Sequence, residues 1–275
     1  MTLLIACALL GSVIGLLLAL TGAGGGILAV PLLVFGLHLG VAQAAPIGLV
    51  AVGLSAAFGA ALGLRARIVR YRAAALIGGL GMALAPVGVA AAQRIPNAPL
   101  TIAFAVVLAI TAWRTFSRTL HAAGRPQAPR AALPCVVDAT DGRLTWTRPC
   151  ARALAITGMV SGLLSGLLGV GGGFVIVPAL SRYTDLPMRS IVATSLAVIA
   201  LVSIGGVGAA AVHGSLDWRV ALPFSGGAVA ALLAGRLVAA RVAGTRLQQG
   251  FALVSAAVAV LLVARATGWL AMPAH

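Results

Sequence analysis

Apolar stretches of about twenty residues follow one another along almost the whole chain, and arginine gathers in the short connections between them. A hydrocarbon core about 30 Å thick takes about 20 apolar residues to cross as a helix. Within lipid only helices and closed barrels pair their own backbone, and continuous rather than alternating apolar runs specify helices. The fold expected is an all-α polytopic transmembrane helix bundle. Composition excludes the alternatives: with 61% hydrophobic and 8% charged residues, the chain suits neither a soluble globule nor a disordered segment.

On that ruler the apolar runs are 3–20, 27–39, 45–64, 73–92 and 100–112, then 153–168, 174–180, 191–211, 220–240 and 247–264. The first charge is Arg65, so the initial run has no basic flank of the signal-peptide kind and reads as a membrane segment. Between the two sets lies a polar linker, 114–152, with Pro126, Pro129, Pro134 and Pro149. The sets are also copies. Gly24 and Gly171 stand 147 positions apart, and that shift pairs Gly11 with Gly158, Gly15 with Gly162, Pro31 with Pro178, Arg72 with Arg219 and Arg94 with Arg241, without a gap. Residues 1–113 and 153–275 are therefore read as two duplicated halves.

Charge bears on how the copies are oriented. The net charge is +15, from nineteen arginines and no lysine, against Asp138, Asp141, Asp185 and Asp217. Clustered for the most part between the apolar runs, the arginines point to membrane topology rather than to nucleic acid. The connection 65–72 holds four of them and its counterpart 213–219 only one; 93–97 holds one, while Arg236, Arg241 and Arg246 cluster at its counterpart. Such a reversal is expected of inverted repeats, which need an odd number of crossings per half. Five segments per half, with the linker cytoplasmic and both ends outside, meet that condition; parallel four-helix halves are the rival. At about 1.5 Å per residue the run 174–180 is too short to span, and it reads as a re-entrant or broken element or as continuing through Tyr183. A cytoplasmic linker implies that Cys135 and Cys150 are reduced thiols.

Missing residue types narrow the chemistry. Without lysine there is no phosphate-binding Gly-Lys loop. Without glutamate a paired-carboxylate site or an intramembrane proton relay is hard to build. The four histidines and three cysteines show no ligand spacing, so no metal or other cofactor is expected, and no set of nucleophile, base and orienting group suggests an enzyme.

What stands out is a glycine cluster in each half, Gly22-Ala23-Gly24-Gly25-Gly26 before Pro31 and Gly169-Val170-Gly171-Gly172-Gly173 before Pro178. Consecutive glycines unwind a helix. Unwound backbone at membrane depth survives only beside protein or a watery cavity, and a restarting helix offers N–H groups to an anion. Close helix packing is the competing explanation, and it suffices for Gly11, Gly15, Gly158 and Gly162 at GxxxG spacing. The stretch GMVSGLLSGLLGVGGGFVIVPAL at 158–180, followed by Ala193-Thr194-Ser195-Leu196 and Gly235-Arg236-Leu237, resembles the TauE/SafE family of membrane permeases, and the resemblance spans both halves. It implies a multi-pass protein of the bacterial inner membrane that exports, or in some cases imports, small anions such as sulfite or organosulfonates. The binding residues expected are Gly22, Gly24, Gly25, Gly26, Gly169, Gly171, Gly172 and Gly173, with Thr194 and Ser195 adding hydroxyls unless these bond only to their own helix. The first copy has Pro46-Ile47-Gly48 where the second has Ala193-Thr194-Ser195 and so lacks both hydroxyls. The partners expected are a small anionic substrate and the lipid bilayer. A membrane assembly subunit that docks partner helices and transports nothing is the alternative of a different class.

Overall fold

The structure is a computed structural model and describes residues 2–121, 134–136, 144–242 and 245–266. Its helices in chain order are α1 (Thr2–Thr21), α2 (Ala29–Gly36), α3 (Val41–Arg65), α4 (Tyr71–Arg94), α5 (Asn97–His121), α6 (Arg148–Leu168), α7 (Gly173–Tyr183), α8 (Met188–Val212), α9 (Trp218–Val242) and α10 (Thr245–Ala266), with a 3-10 segment, Gly22–Leu28, joining α1 to α2. Among the described residues six helices are long and apolar enough to cross a membrane, namely α3, α4, most of α5, α6, α8 and the larger part of α9. The 147-residue shift survives in the element boundaries: Val41 and Met188 open α3 and α8, and Tyr71 and Trp218 open α4 and α9. Both margins of the linker are helical, since α5 runs to His121 and α6 starts at Arg148. There Thr147 caps α6 by accepting from the Cys150 amide at 3.3 Å.

Small residues decide which helices meet. A methyl group on Gly158, Gly162 or Gly166 would enter the backbone of Ile77, Gly81 or Ala85, so α6 and α4 run parallel at close quarters. The equivalent pair does the same, with Gly11 and Gly15 pressed on Phe224 and Ala228, so that α1 runs parallel to α9. The two halves are thus exchanged: the first helix of each packs on the fourth helix of the other. At the centre α3 crosses α8. Gly53 meets Ser203, Gly59 meets Leu196 and Gly63 meets Ala193, an order that makes these two equivalent helices antiparallel.

The short apolar runs expected to count as crossings do not cross. Helix α7 returns to the end of the bundle where α6 begins, because Cys135, disulfide-bonded to Cys150, donates its amide to the Tyr183 carbonyl at 3.1 Å. Helix α2 likewise folds back beside α1, with Gly36 on Leu10. An eight-residue or eleven-residue helix, rising about 1.5 Å per residue, is too short to span. Each half therefore has three further long helices and one re-entrant pair. The connection 65–71, the start of α6 and the turn 183–188 share one end, which carries Arg65, Arg67, Arg70, Arg72, Arg148, Arg152, Arg182 and Arg189. The other end, where Gln93 reaches Ser215 and Asn97 reaches the Ala42 amide, has Arg94 and Arg219.

Candidate functional site

The two glycine clusters come together at the middle of the bundle. Val52, midway along α3, has one methyl group 2.9 Å from where a Cβ of Gly26 would be and 3.0 Å from that of Gly171. Ile199, midway along α8 and 147 positions after Val52, flanks Gly171 from the other side at 2.8 Å. The Val170 carbonyl oxygen lies beside Gly26, and the Gly169 carbonyl beside Gly48. Two breaks, one from each half, therefore share a junction bounded by two equivalent side chains.

The breaks differ in backbone. The first is a 3-10 helix, whose i→i+3 bonds keep amides paired within the segment. The second is a left-handed turn: Gly169, Gly171 and Gly172 have φ of 71°, 72° and 71°, values that cost an L side chain about 1 to 3 kcal/mol. Gly172 caps α7 without a side-chain acceptor, and its carbonyl takes the amides of Val175 and Ile176 at 3.0 and 3.2 Å. Among the described residues no backbone carbonyl stands in good hydrogen-bonding geometry to the amides of residues 170–174, residues 171–172 forming only a turn, and the glycines here are buried. They are the groups that a dipole-aligned helix start turns towards negative charge.

Hydroxyl groups surround this junction that the motif reading missed. Ser55 lies one turn beyond Val52, Ser203 one turn beyond Ile199, and Ser165 one turn before Gly169. All three are buried, and their oxygens have no hydrogen-bond partner. Ser161 donates to the Gly172 carbonyl at 3.3 Å. The signal for two of them was in the sequence, since Ser161 and Ser165 repeat at helical spacing in the run that ends at the glycines. The expected hydroxyls are engaged elsewhere. Thr194 accepts from the Arg70 amide at 3.0 Å, tying α8 to the 65–71 connection, and Ser195 donates to the Val192 carbonyl of its own helix at 2.9 Å. Ser195 lies one turn before Ile199 and Thr194 just over one turn, on the side of the arginine-rich end. Cys135 and Cys150, expected as separate thiols, are joined. The surroundings of Gly22, Gly24 and Arg236 fall outside what is described.

Space at the junction is small. A recess lined by Ala45, Pro46, Leu49, Gly166, Gln93 and Ser215, on the arginine-poor side of the junction, encloses about 10 Å³, room for about one water. A groove of about 380 Å³ between α5 and α10 is lined only by alanine and valine, such as Ala105, Val106, Ala259 and Val260, and offers an ion nothing polar. The junction is thus closed, and a polyatomic solute enters only if helices move.

The family model for the sulfite exporter TauE/SafE matches residues 7–262, which takes in both halves and the junction. The chain belongs to the TauE/SafE family. That makes it a membrane transporter and a multi-pass membrane protein. Two relatives named "Probable membrane transporter protein", from Xylella fastidiosa strains 9a5c and Temecula1, are 31% and 29% identical over 262 and 265 residues, in each case 93% of both chains. A third of the same description, from Methanocaldococcus jannaschii, is 48% identical over 52 residues, 19% of each chain. No solved structure matches the chain.

Proposed function

We propose that this family member is a secondary permease that exports a small anion, sulfite or an organosulfonate, across a bacterial inner membrane. The observation that carries the reading is the meeting of both glycine breaks beside Val52 and Ile199, where among the described residues the amides of residues 170–174 have no well-placed backbone acceptor. A sulfonate or sulfite group presents several acceptor oxygens and one or two negative charges. Backbone donors with no cationic side chain among them hold such a group weakly enough to release it. Gly169, Gly171, Gly172 and Gly173 supply these donors, Ser55, Ser165 and Ser203 add hydroxyls, and Gly22, Gly24, Gly25 and Gly26 form the opposing wall. Thr194 and Ser195 serve the helix ends rather than the anion.

The halves act as inverted repeats in this reading, supported by the antiparallel crossing of the equivalent helices α3 and α8 and by the collection of arginines at one end. The positive-inside bias puts that end in the cytoplasm. Alternation of access follows when the exchanged pairs α1–α9 and α4–α6 rock about the fixed α3–α8 crossing. Each unit of negative charge leaving a cell gains about 2.3 kcal/mol per 100 mV, so the membrane potential suffices for export; import needs a coupled cation. A non-transporting assembly subunit is less well supported, because the small-residue faces it would use for docking are consumed inside the bundle. The test is efflux of labelled sulfite from loaded vesicles under an imposed potential. Efflux that requires the protein and grows with potential is expected; leakage equal in protein-free vesicles would refute the proposal.

A further inference from the structure

Away from the glycine junction, residues 134–136 form a strap between helices. Cys135 is joined to Cys150 in the first turn of α6, with Cα atoms 5.0 Å apart and a sequence separation of 15. The Cys135 amide donates to the Tyr183 carbonyl at 3.1 Å, and Cys135 pairs with Thr184 in an isolated bridge. Thr147 donates through its hydroxyl to the Pro134 carbonyl at 2.9 Å, and Thr145 donates its amide and hydroxyl to the Val136 carbonyl at 2.9 and 2.7 Å. The Arg72 guanidinium lies 5.4 Å from the centre of the Trp146 ring, fastening the same strap to α4. One covalent bond thus holds the strap to the start of α6, and the strap in turn holds the end of α7 through the Cys135 amide and the bridge to Thr184; α7 is the half-helix whose other end opens at the junction.

This strap stands at the arginine-rich end, which the positive-inside bias assigns to the cytoplasm. Cytosolic thiols are kept reduced, and disulfides there are transient, catalytic or sensing. We propose that Cys135 and Cys150 are a reversible oxidation site on the cytoplasmic face, a thiol pair whose disulfide clamps α7 against α6 and holds the re-entrant hairpin shut. Both cysteines are fully buried, so the oxidant is a small one of the peroxide class. Hydrogen peroxide takes two electrons and two protons from the pair and leaves as two waters while the S–S bond forms. A dithiol reductant reverses the step, ending as its own disulfide and returning two S–H groups to the protein. Its consequence for flux rests on the export reading above, but the chemistry of the pair and the motion of α7 do not.

Three measurements on the full chain separate these levels. Cells are quenched in acid, and the unfolded protein is tagged with a heavy maleimide. Three tags are expected from unstressed cells, one after peroxide because Cys7 alone stays free, and three again after dithiol. A single tag in unstressed cells, or three after peroxide, would overturn the proposal. Hydrogen exchange of the purified protein in each state follows, and amides 173–183 are expected to exchange roughly tenfold faster when reduced, with α3 unchanged; equal rates would end the clamp. Finally, peroxide is expected to slow sulfite efflux in the unsubstituted protein and to have no effect on Cys150→Ser. If tags and exchange behave as stated while neither state moves sulfite, the substrate reading fails and the clamp stands.

Discussion

Gly172 illustrates how tightly a single residue is specified near the junction. Its φ is 71°, and a methyl group there would run into the Ser161 hydroxyl. Gly172→Ala therefore both strains backbone and crowds a neighbour, at about 1 to 3 kcal/mol. Thermal unfolding of the purified protein is expected to show a lower Tm, with Gly208→Ala as the comparison, since nothing lies within 4 Å of a Cβ at Gly208. A loss of flux in Gly172→Ala consequently says little about binding. Ser165→Ala separates the two: it deletes a buried oxygen that has no partner and leaves the helix intact. Because an unsatisfied buried hydroxyl costs about 1 to 3 kcal/mol, the Tm is expected to hold or rise, while the stabilisation conferred by sulfite shrinks. An undiminished sulfite effect in Ser165→Ala would remove this residue from the site.

At the scale of elements, the duplication makes a quantitative demand. Gly15 and Gly162 are equivalent positions, and each would drive a Cβ into the backbone of a partner helix, Ala228 in α9 and Gly81 in α4. Gly15→Ala and Gly162→Ala are expected to lower the Tm by similar amounts, each corresponding to about 1 to 3 kcal/mol for overpacking. A large effect at one and none at the other would mean that the exchanged pairs are not equivalent in energy. The breaks themselves are not equivalent. The segment Gly22–Leu28 winds into a 3-10 helix, whereas the second copy turns left-handed and leaves amides unpaired, although both clusters contain four glycines in five residues. The glycines announced a break in each half, because a run of residues without Cβ cannot hold a membrane helix. Which break frees its donors depends on neighbours from other elements, Ala45 and Ser161 around the second copy and Leu17 around the first.

Across the whole molecule, orientation and driving force are linked. Arg65→Cys, at the arginine-rich end, is expected to be labelled by an impermeant maleimide only from the cytoplasmic side, and Trp218→Cys, exposed at the other end, only from outside; the reverse result would put the arginine-rich end and its cysteine pair outside the cell. In vesicles with a potential of 100 mV, interior negative, a monovalent anion is expected to reach an outside excess of roughly fifty-fold at equilibrium, from 2.3 kcal/mol per charge. A ratio insensitive to potential would mean that the transported species is neutral or moves with a cation.

Sequence alone determined the helical membrane class, the duplication at 147 positions, the glycine breaks and the uneven arginines, because each follows from solvation, chain stiffness or charge along the chain. Length alone also marked the run 174–180 as too short to span, but where α2 and α7 come to rest was not determined, since a short apolar run does not say which helix it returns beside. Nor did sequence pair Cys135 with Cys150, or expose Ser55, Ser165 and Ser203, which are far apart in the chain. Contacts of that kind are settled by how closely helices approach. Here small residues on α1, α4, α6 and α9 let backbones touch, exchange the halves and bring Val52 and Ile199 to one point.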